Sequence, residues 1–317
     1  MKKVLLSITS ILFLFSCQNE DKTNDTNSVA VKRACASQEV YERQLQENPE
    51  LALRMNKIEE FTVKAMQEGR LVNGHIEIPV VVNVLYKTAT ENISLAQIQS
   101  QINVLNADFN AANADYSQVP TLFSGVKANV GITFVLDQVI RKATTKTSWG
   151  TRDAMKKTKQ GGINPTSPTT KLNFWVCTIG GGILGYAQFP GGSSATDGVV
   201  CDSKYVGVTS NSSSSYPYNL GRTATHEVGH WMNLRHIWGD ATCCSDLVTD
   251  TPTHNTANYG VPTYPHYSTC TGTPVEMSMN YMDYTDDRGM YMFSLGQKAR
   301  IDAIFISGGA RFSFGQP

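Results

Sequence analysis

The chain carries no excess of either charge: among its 317 residues, 27 Lys and Arg stand against 27 Asp and Glu. Without a basic surplus there is no electrostatic reason to expect a nucleic-acid partner. The apolar run VLLSITSILFLF, which follows Lys2 and Lys3, is too short to span a bilayer and reads as an export signal over residues 1–16. No internal repeat is visible. Histidine is scarce, with six in all. What is present is apolar content of 41%, enough for a full core, so the chain is one large domain or two lobes sharing a cleft.

After the export signal comes LFSC, which resembles the bacterial lipobox, so Cys17 is expected to become the first mature residue and to carry lipid. Ordinary secretion, with Cys17 discarded, is the alternative. Several acyl chains would hold the protein firmly, whereas one binds only marginally. An exported chain can also keep disulfides. Of the remaining cysteines, one of the vicinal pair Cys243 and Cys244 is expected to bridge to Cys270, and Cys177 with Cys201 is a second plausible pair. That leaves Cys35 and the other vicinal cysteine unassigned.

The polar stretch from Cys17 to residue 34 reads as a flexible tether. Residues 37–68 have helical spacing, with Pro49 placed where a second helix could begin. They belong to a charge-rich stretch, 35–69, separable from the rest of the chain as a pro-segment. At Ile76 the pattern changes to the strand-like IEIPVVVNVLY, and Ser94 then caps an amphipathic helix with Ile98, Ile102, Leu105 and Phe109 on one stripe. ITFVLDQVI and LNFWVCTI predict further strands, GILGYAQ a short one between glycine-rich turns, and DGVVCD with YVGVTS a strand pair. This order implies an α/β lobe. Beyond His236 the chain is loop-rich until a helix predicted from about Ser294. A loop that long needs a reason, such as disulfides, bound ions or a cleft.

Chemistry concentrates in THEVGHWMNLRH, which holds three of the six histidines. Helix positions i and i+4 share a face, so His226 and His230 can aim nitrogen at one ion while Glu227 reaches beside it. His236 lies roughly 600° of helical rotation beyond His230 and would point elsewhere on a continuous helix. The helix must therefore break first. Asn233 occupies the break, and its short amide tolerates the left-handed region. Three neutral imidazoles leave the fourth position of a zinc ion open to water, and Glu227 is suited to take that water's proton.

HEVGHWMNLRH matches the metzincin pattern H-E-x-x-H-x-x-G-x-x-H, with asparagine at the glycine position. HEVGHWMNLRHIWG, VTDTPTH and NYMDYTDDRGMYMF together resemble the pappalysin (cytophagalysin) family of metallopeptidases, over about residues 76–305. The resemblance implies an α/β, metzincin-like fold. An upper lobe, 70–233, would hold a twisted mixed sheet and the active-site helix, and a lower, irregular lobe, 234–317, would end in a C-terminal helix. Met282 would form the methionine turn beneath the metal, and Tyr284 would stabilise the tetrahedral intermediate. ILGYAQFP would be the cleft-rim strand. Cys35 matches a zymogen switch, although Ala36 follows it where the family has glycine; a disulfide to the unpaired lower-lobe cysteine is the other reading. A second loop disulfide of the family is absent, its positions falling on Val261 and Gly289.

By the same resemblance the enzyme would cut before Arg or Lys, which makes Gly69–Arg70 the expected activation site and Asp302 a candidate for the acidic floor of the pocket. Relatives also bind calcium in the lower lobe, where Asp246 and Asp250 would offer the oxygen ligands. Partners would be protein or peptide substrates, with no nucleic acid, and with a membrane contact only through a lipid on Cys17; we expect a monomer on the cell envelope. The rival reading is an inactive surface-anchored module that holds peptides in the same cleft. Retention of Glu227 argues against it, since a binder needs no water-activating carboxylate.

Overall fold

The computed structural model describes residues 32–69, 75–210 and 215–315; the export signal, Cys17 and Arg70 lie outside the described residues. Two helices come first, α1 (Ser37–Glu47) and α2 (Pro49–Gln67), divided where Pro49 starts the second. Then β1 (Ile76–Tyr86) leads into α3 (Leu95–Phe109), whose N-cap Ser94 accepts a hydrogen bond from Gln97 N. The remaining strands are β2 (Lys127–Ala128), β3 (Ile132–Ala143), β4 (Leu172–Cys177), β5 (Gly185–Ala187), β6 (Val199–Asp202) and β7 (Phe293–Ser294). The last two helices are α4 (Arg222–Trp231) and α5 (Leu295–Phe305).

Five strands form one mixed sheet in the order β3-β1-β4-β6-β5, and β2 pairs with β7 in a separate two-stranded ribbon. All neighbours in the large sheet are parallel except β5, which runs antiparallel to β6 at the edge. The apolar run in β1 is explained by burial on both faces, as a central parallel strand requires. Side chains alternate across the sheet. Val80, Val82, Val84, Phe174, Val176, Val199 and Cys201 join the core under α3 and α4, whereas Leu85, Trp175, Cys177 and Val200 join a second cluster on the other face.

That alternation corrects one expectation. Cys201 sits opposite Val176 in the parallel register, and Cys177 opposite Asp202. The two sulfurs therefore leave opposite faces of the sheet, and both thiols are free. The bridge that does form joins Cys243 to Cys270, leaving Cys244 exposed. YVGVTS also differs from the expected strand: it begins in a short 3-10 turn and contributes only an isolated bridge from Val208 to Leu220.

Beyond α4 the chain is irregular until α5, whose N-cap Ser294 and N3 Gln297 form a reciprocal capping box. Val261 and Gly289 are neighbours there, since a Cβ on Gly289 would lie 3.2 Å from Val261 Cγ2. The two positions lacking a second bridge thus face each other. No helix among the described residues is long and apolar enough to cross a membrane.

Candidate active site

Helix α4 is buried along its whole length, and it carries His226 and His230 one turn apart. The helix stops where Asn233 takes φ 72°, the left-handed conformation that reverses the chain. His236 then returns to the other two: its Nε2 is 3.1 Å from that of His230, which lies 3.2 Å from that of His226.

Each ring is oriented through its other nitrogen. His226 Nδ1 donates to Tyr281 O at 2.7 Å and His230 Nδ1 to Leu234 O at 2.8 Å, while His236 Nδ1 pairs with the Asp240 carboxylate. With the protons held at Nδ1, three Nε2 lone pairs point at one another with no donor between them. That arrangement is repulsive unless a cation sits among them. Nitrogens about 2.0–2.1 Å from a tetrahedral zinc lie roughly 3.3 Å apart, close to the observed spacing, so the residues fit zinc. Burial, followed by the neighbouring imidazoles, lowers the pKa of His226 well below its usual range and that of His230 to about 3, so both rings are neutral ligands at physiological pH.

Glu227 is 1% exposed, and burial raises its pKa to about 7. Its Oε2 accepts from Ser37 Oγ at 2.9 Å and from Cys35 Sγ at 3.2 Å. Gly185 of β5 makes room for it, because a Cβ there would lie 2.9 Å from Glu227 Cγ. Beneath the histidines, Met282 Sδ sits where a Cβ on Gly229 would approach to 2.4 Å, so the glycine of HEVGH lets the sulfur under the helix. Met282 O also accepts from Ile237 N at 3.1 Å, tying this turn to the strand of chain after His236. Tyr284 lies edge-on to His236, with ring centroids 5.0 Å apart.

The segment before α1 crosses this site. Cys35 Sγ and the three imidazoles offer ligand atoms within 4.8 Å of one another. Burial, then Glu227, pushes the thiol pKa well up, so only a bound cation would favour the thiolate. Cys35 forms a parallel bridge with Gly185, Leu184 N donates to Ala34 O, Ala36 N to Gly185 O, and Ala187 N to Ser37 Oγ. The segment thus extends the sheet at its edge. Tyr284 Oη donates to Cys35 O and accepts from Cys35 N. These contacts separate Cys35 from the exposed Cys244, so the disulfide alternative for Cys35 is not the arrangement present.

Several residues were not foreseen. Asp240 orients His236, and Trp238 stacks on it with planes 5° apart. Asp287 is fully buried and meets Arg33, two residues before Cys35, at 2.5 Å. That guanidinium also donates to Thr285 O and lies over the Tyr218 ring. The only signal in the sequence was TDDRG, which offers two adjacent aspartates and no means of choosing between them. Asp302 is elsewhere: its carboxylate takes Lys298 Nζ at 3.0 Å within α5. Asp246 is buried, accepts from Thr251 Oγ1 at 2.9 Å and has its pKa raised to about 7 by burial. Asp250 instead receives Ser294 Oγ and Gly296 N at the start of α5.

A mixed sheet with an antiparallel edge strand, a helix bearing two imidazoles, a reversal delivering a third, and a methionine turn below define a metzincin-type metallopeptidase. The profile of the family described as Pregnancy-associated plasma protein-A matches residues 177–305, and an extracellular metalloprotease of Arthroderma benhamiae is 32% identical over 239 residues, covering 71% of this chain and 76% of that one. The chain belongs to this pappalysin family of metalloproteases. Among solved structures, a Tannerella forsythia promirolysin mutant is 38% identical with a TM-score of 0.81, covering 89% of this chain and 97% of that one. Mature mirolysin in complex with a cleaved peptide is 41% identical with a TM-score of 0.73, covering 77% and 97%.

Proposed function

We propose that this chain is an exported zinc endopeptidase, made as a latent zymogen, that cuts proteins or peptides before Arg or Lys. Bound by His226, His230 and His236, zinc would polarise the scissile carbonyl and bring the pKa of a water to about 7. Glu227 takes that water's proton and returns it to the leaving amine. The Tyr284 hydroxyl, now bonded to the Cys35 backbone, donates instead to the oxyanion that develops on the scissile carbonyl. An extended substrate adds to β5 through its backbone, in the place residues 34–37 now hold. Peptide-library cleavage by the wild type and by Glu227→Ala tests activity, mechanism and specificity together.

The preference for a basic residue rests on one observation, the buried pair of Arg33 with Asp287. A guanidinium already fills an acidic pocket beside the histidines, and a substrate arginine would take its place. Latency rests on the same segment. Cys35 points a fourth ligand atom at the cluster while covering Glu227 and Tyr284. Cys35→Ala should lower the barrier to activation, with freshly purified full-length protein cleaving casein about tenfold faster than wild type, if the thiol contributes roughly 1.4 kcal/mol. Equal basal rates would discard the switch.

Removal of residues up to Gly69 would open the site. N-terminal sequencing of the matured protein should begin at Arg70, and a start far from it would contradict self-processing. Calcium is proposed for Asp246, whose oxygens with those of Thr251 and Val248 form a hard-donor group; Asp250 is occupied in capping α5. Millimolar calcium should raise the unfolding midpoint of the wild type by several degrees and leave Asp246→Asn unmoved. A shift of equal size in both would remove Asp246 from the site. A lipid on Cys17, and the envelope location it brings, belong to the same proposal.

A further inference from the structure

Arg300 on α5 is 1% exposed, yet the carboxylate that balances it comes from the pro-segment. Its two terminal nitrogens each lie 2.8 Å from an oxygen of Glu59 on α2, in a fork-to-fork pair. Its other partners are two backbone carbonyls, Leu247 O and Asn233 O, both at 3.4 Å, and its Nε has no partner. A second cation is close. Arg235, between the second and third histidines, acts on the Glu59 carboxylate and lines a small cavity with Glu59, Tyr41, Phe189 and Asn233. Phe189 itself packs against His230, with ring centroids 5.4 Å apart.

The position along the cleft follows from the order of contacts. Reading the pro-segment forward, Arg33 meets Asp287, Cys35 reaches the histidines, Ser37 meets Ala187 and Tyr41 packs on Phe189. Asp287 and the Arg300 region therefore lie on opposite sides of the histidines. If Asp287 receives the side chain just after the cut, Arg300 and Arg235 lie on the side of the residues before it.

We infer that in the matured enzyme Arg300 and Arg235 form a subsite for an acidic side chain on the N-terminal side of the scissile bond, with Glu59 of the zymogen as its stand-in. This rests on the proposed removal of the pro-segment. Without Glu59 the Arg300 guanidinium keeps two long carbonyl contacts and, at longer range, the charge of the buried Asp246 carboxylate, with no anion bonded to its terminal nitrogens. An enclosed cation without a bonded counter-charge is unfavourable. A carboxylate reaching it bidentately restores the lost pair, which a neutral amide of the same shape does not.

The test uses matured wild-type protein and peptides with Arg after the cut, carrying Glu or Gln at each of the positions two to five before it. At one position Glu should raise kcat/KM about fivefold over Gln, with the advantage shrinking at high salt. In Arg300→Gln the Glu-to-Gln ratio should fall to one, and should Arg300→Gln fail to fold, the partly exposed Arg235→Gln should reduce the ratio. Equal rates for Glu and Gln at all four positions overturn the subsite. Fluorescence anisotropy with the same peptides and Glu227→Ala protein, trimmed by limited trypsin digestion, reads the preference without turnover. Unequal affinities with no cleavage by wild type would sink the protease reading alone; equal affinities would sink the subsite.

Discussion

Glu227→Ala is expected to lower kcat/KM by about 10³-fold, within the usual range for loss of a positioned acid–base group, while zinc content stays at one per chain. The buried carboxylate is the only acid placed on the helical face beside the histidine pair, and Gly185 leaves it space at the cleft rim. Alanine removes proton transfer without touching the three ligands, whose Nδ1 atoms remain held by Tyr281 O, Leu234 O and Asp240. Metal analysis and peptide cleavage on the same sample decide the matter. Activity within tenfold of wild type at full zinc occupancy would assign the proton transfer to another group, and lost zinc would make Glu227 a structural support.

Asp287→Asn should remove the proposed preference for arginine after the cut. Asp287 Oδ1 meets Arg33 at 2.5 Å, and Oδ2 accepts from Leu220 N and Arg222 N, so the carboxylate is fixed from both sides. Leaving a buried guanidinium without its anion costs about 2 kcal/mol or more. For matured enzyme that is roughly a thirtyfold loss in kcat/KM for peptides with arginine, and little change for those with leucine at the same place. An unchanged arginine-to-leucine ratio would refute the assignment of Asp287. In the zymogen the same substitution strips Arg33 of its partner, and because the proposed self-cut before Arg70 uses the same pocket, maturation should slow.

The contrast between Asp287 and Asp302 shows where sequence reasoning loses force. Asp302 stands out in the sequence as an acid in a helix near the end of the chain, yet a lysine one turn earlier on α5 takes its carboxylate. Asp287 meets its partner across 254 positions of sequence, and nothing in local spacing announces such a pair. Asp240 and Trp238 were missed for a related reason. Both lie within four residues of His236, but their contacts with it depend on how the irregular chain folds back. The free thiols Cys177 and Cys201 show the same limit in a sheet, where a shift of one residue in register sends a side chain to the other face.

Sequence alone determined the features set by neighbours along the chain. These include the helical turn joining His226 to His230, the reversal at Asn233, the caps at Ser94 and Ser294, and the strand runs at 76–86, 132–143 and 172–177. Backbone sterics and short-range periodicity decide each of them. Tertiary structure alone decided which aspartate faces Arg33, which thiols stay apart, and that Glu59 answers Arg300. Those pairings join residues from separate elements, and their energies depend on burial and distance that exist only once the elements have packed.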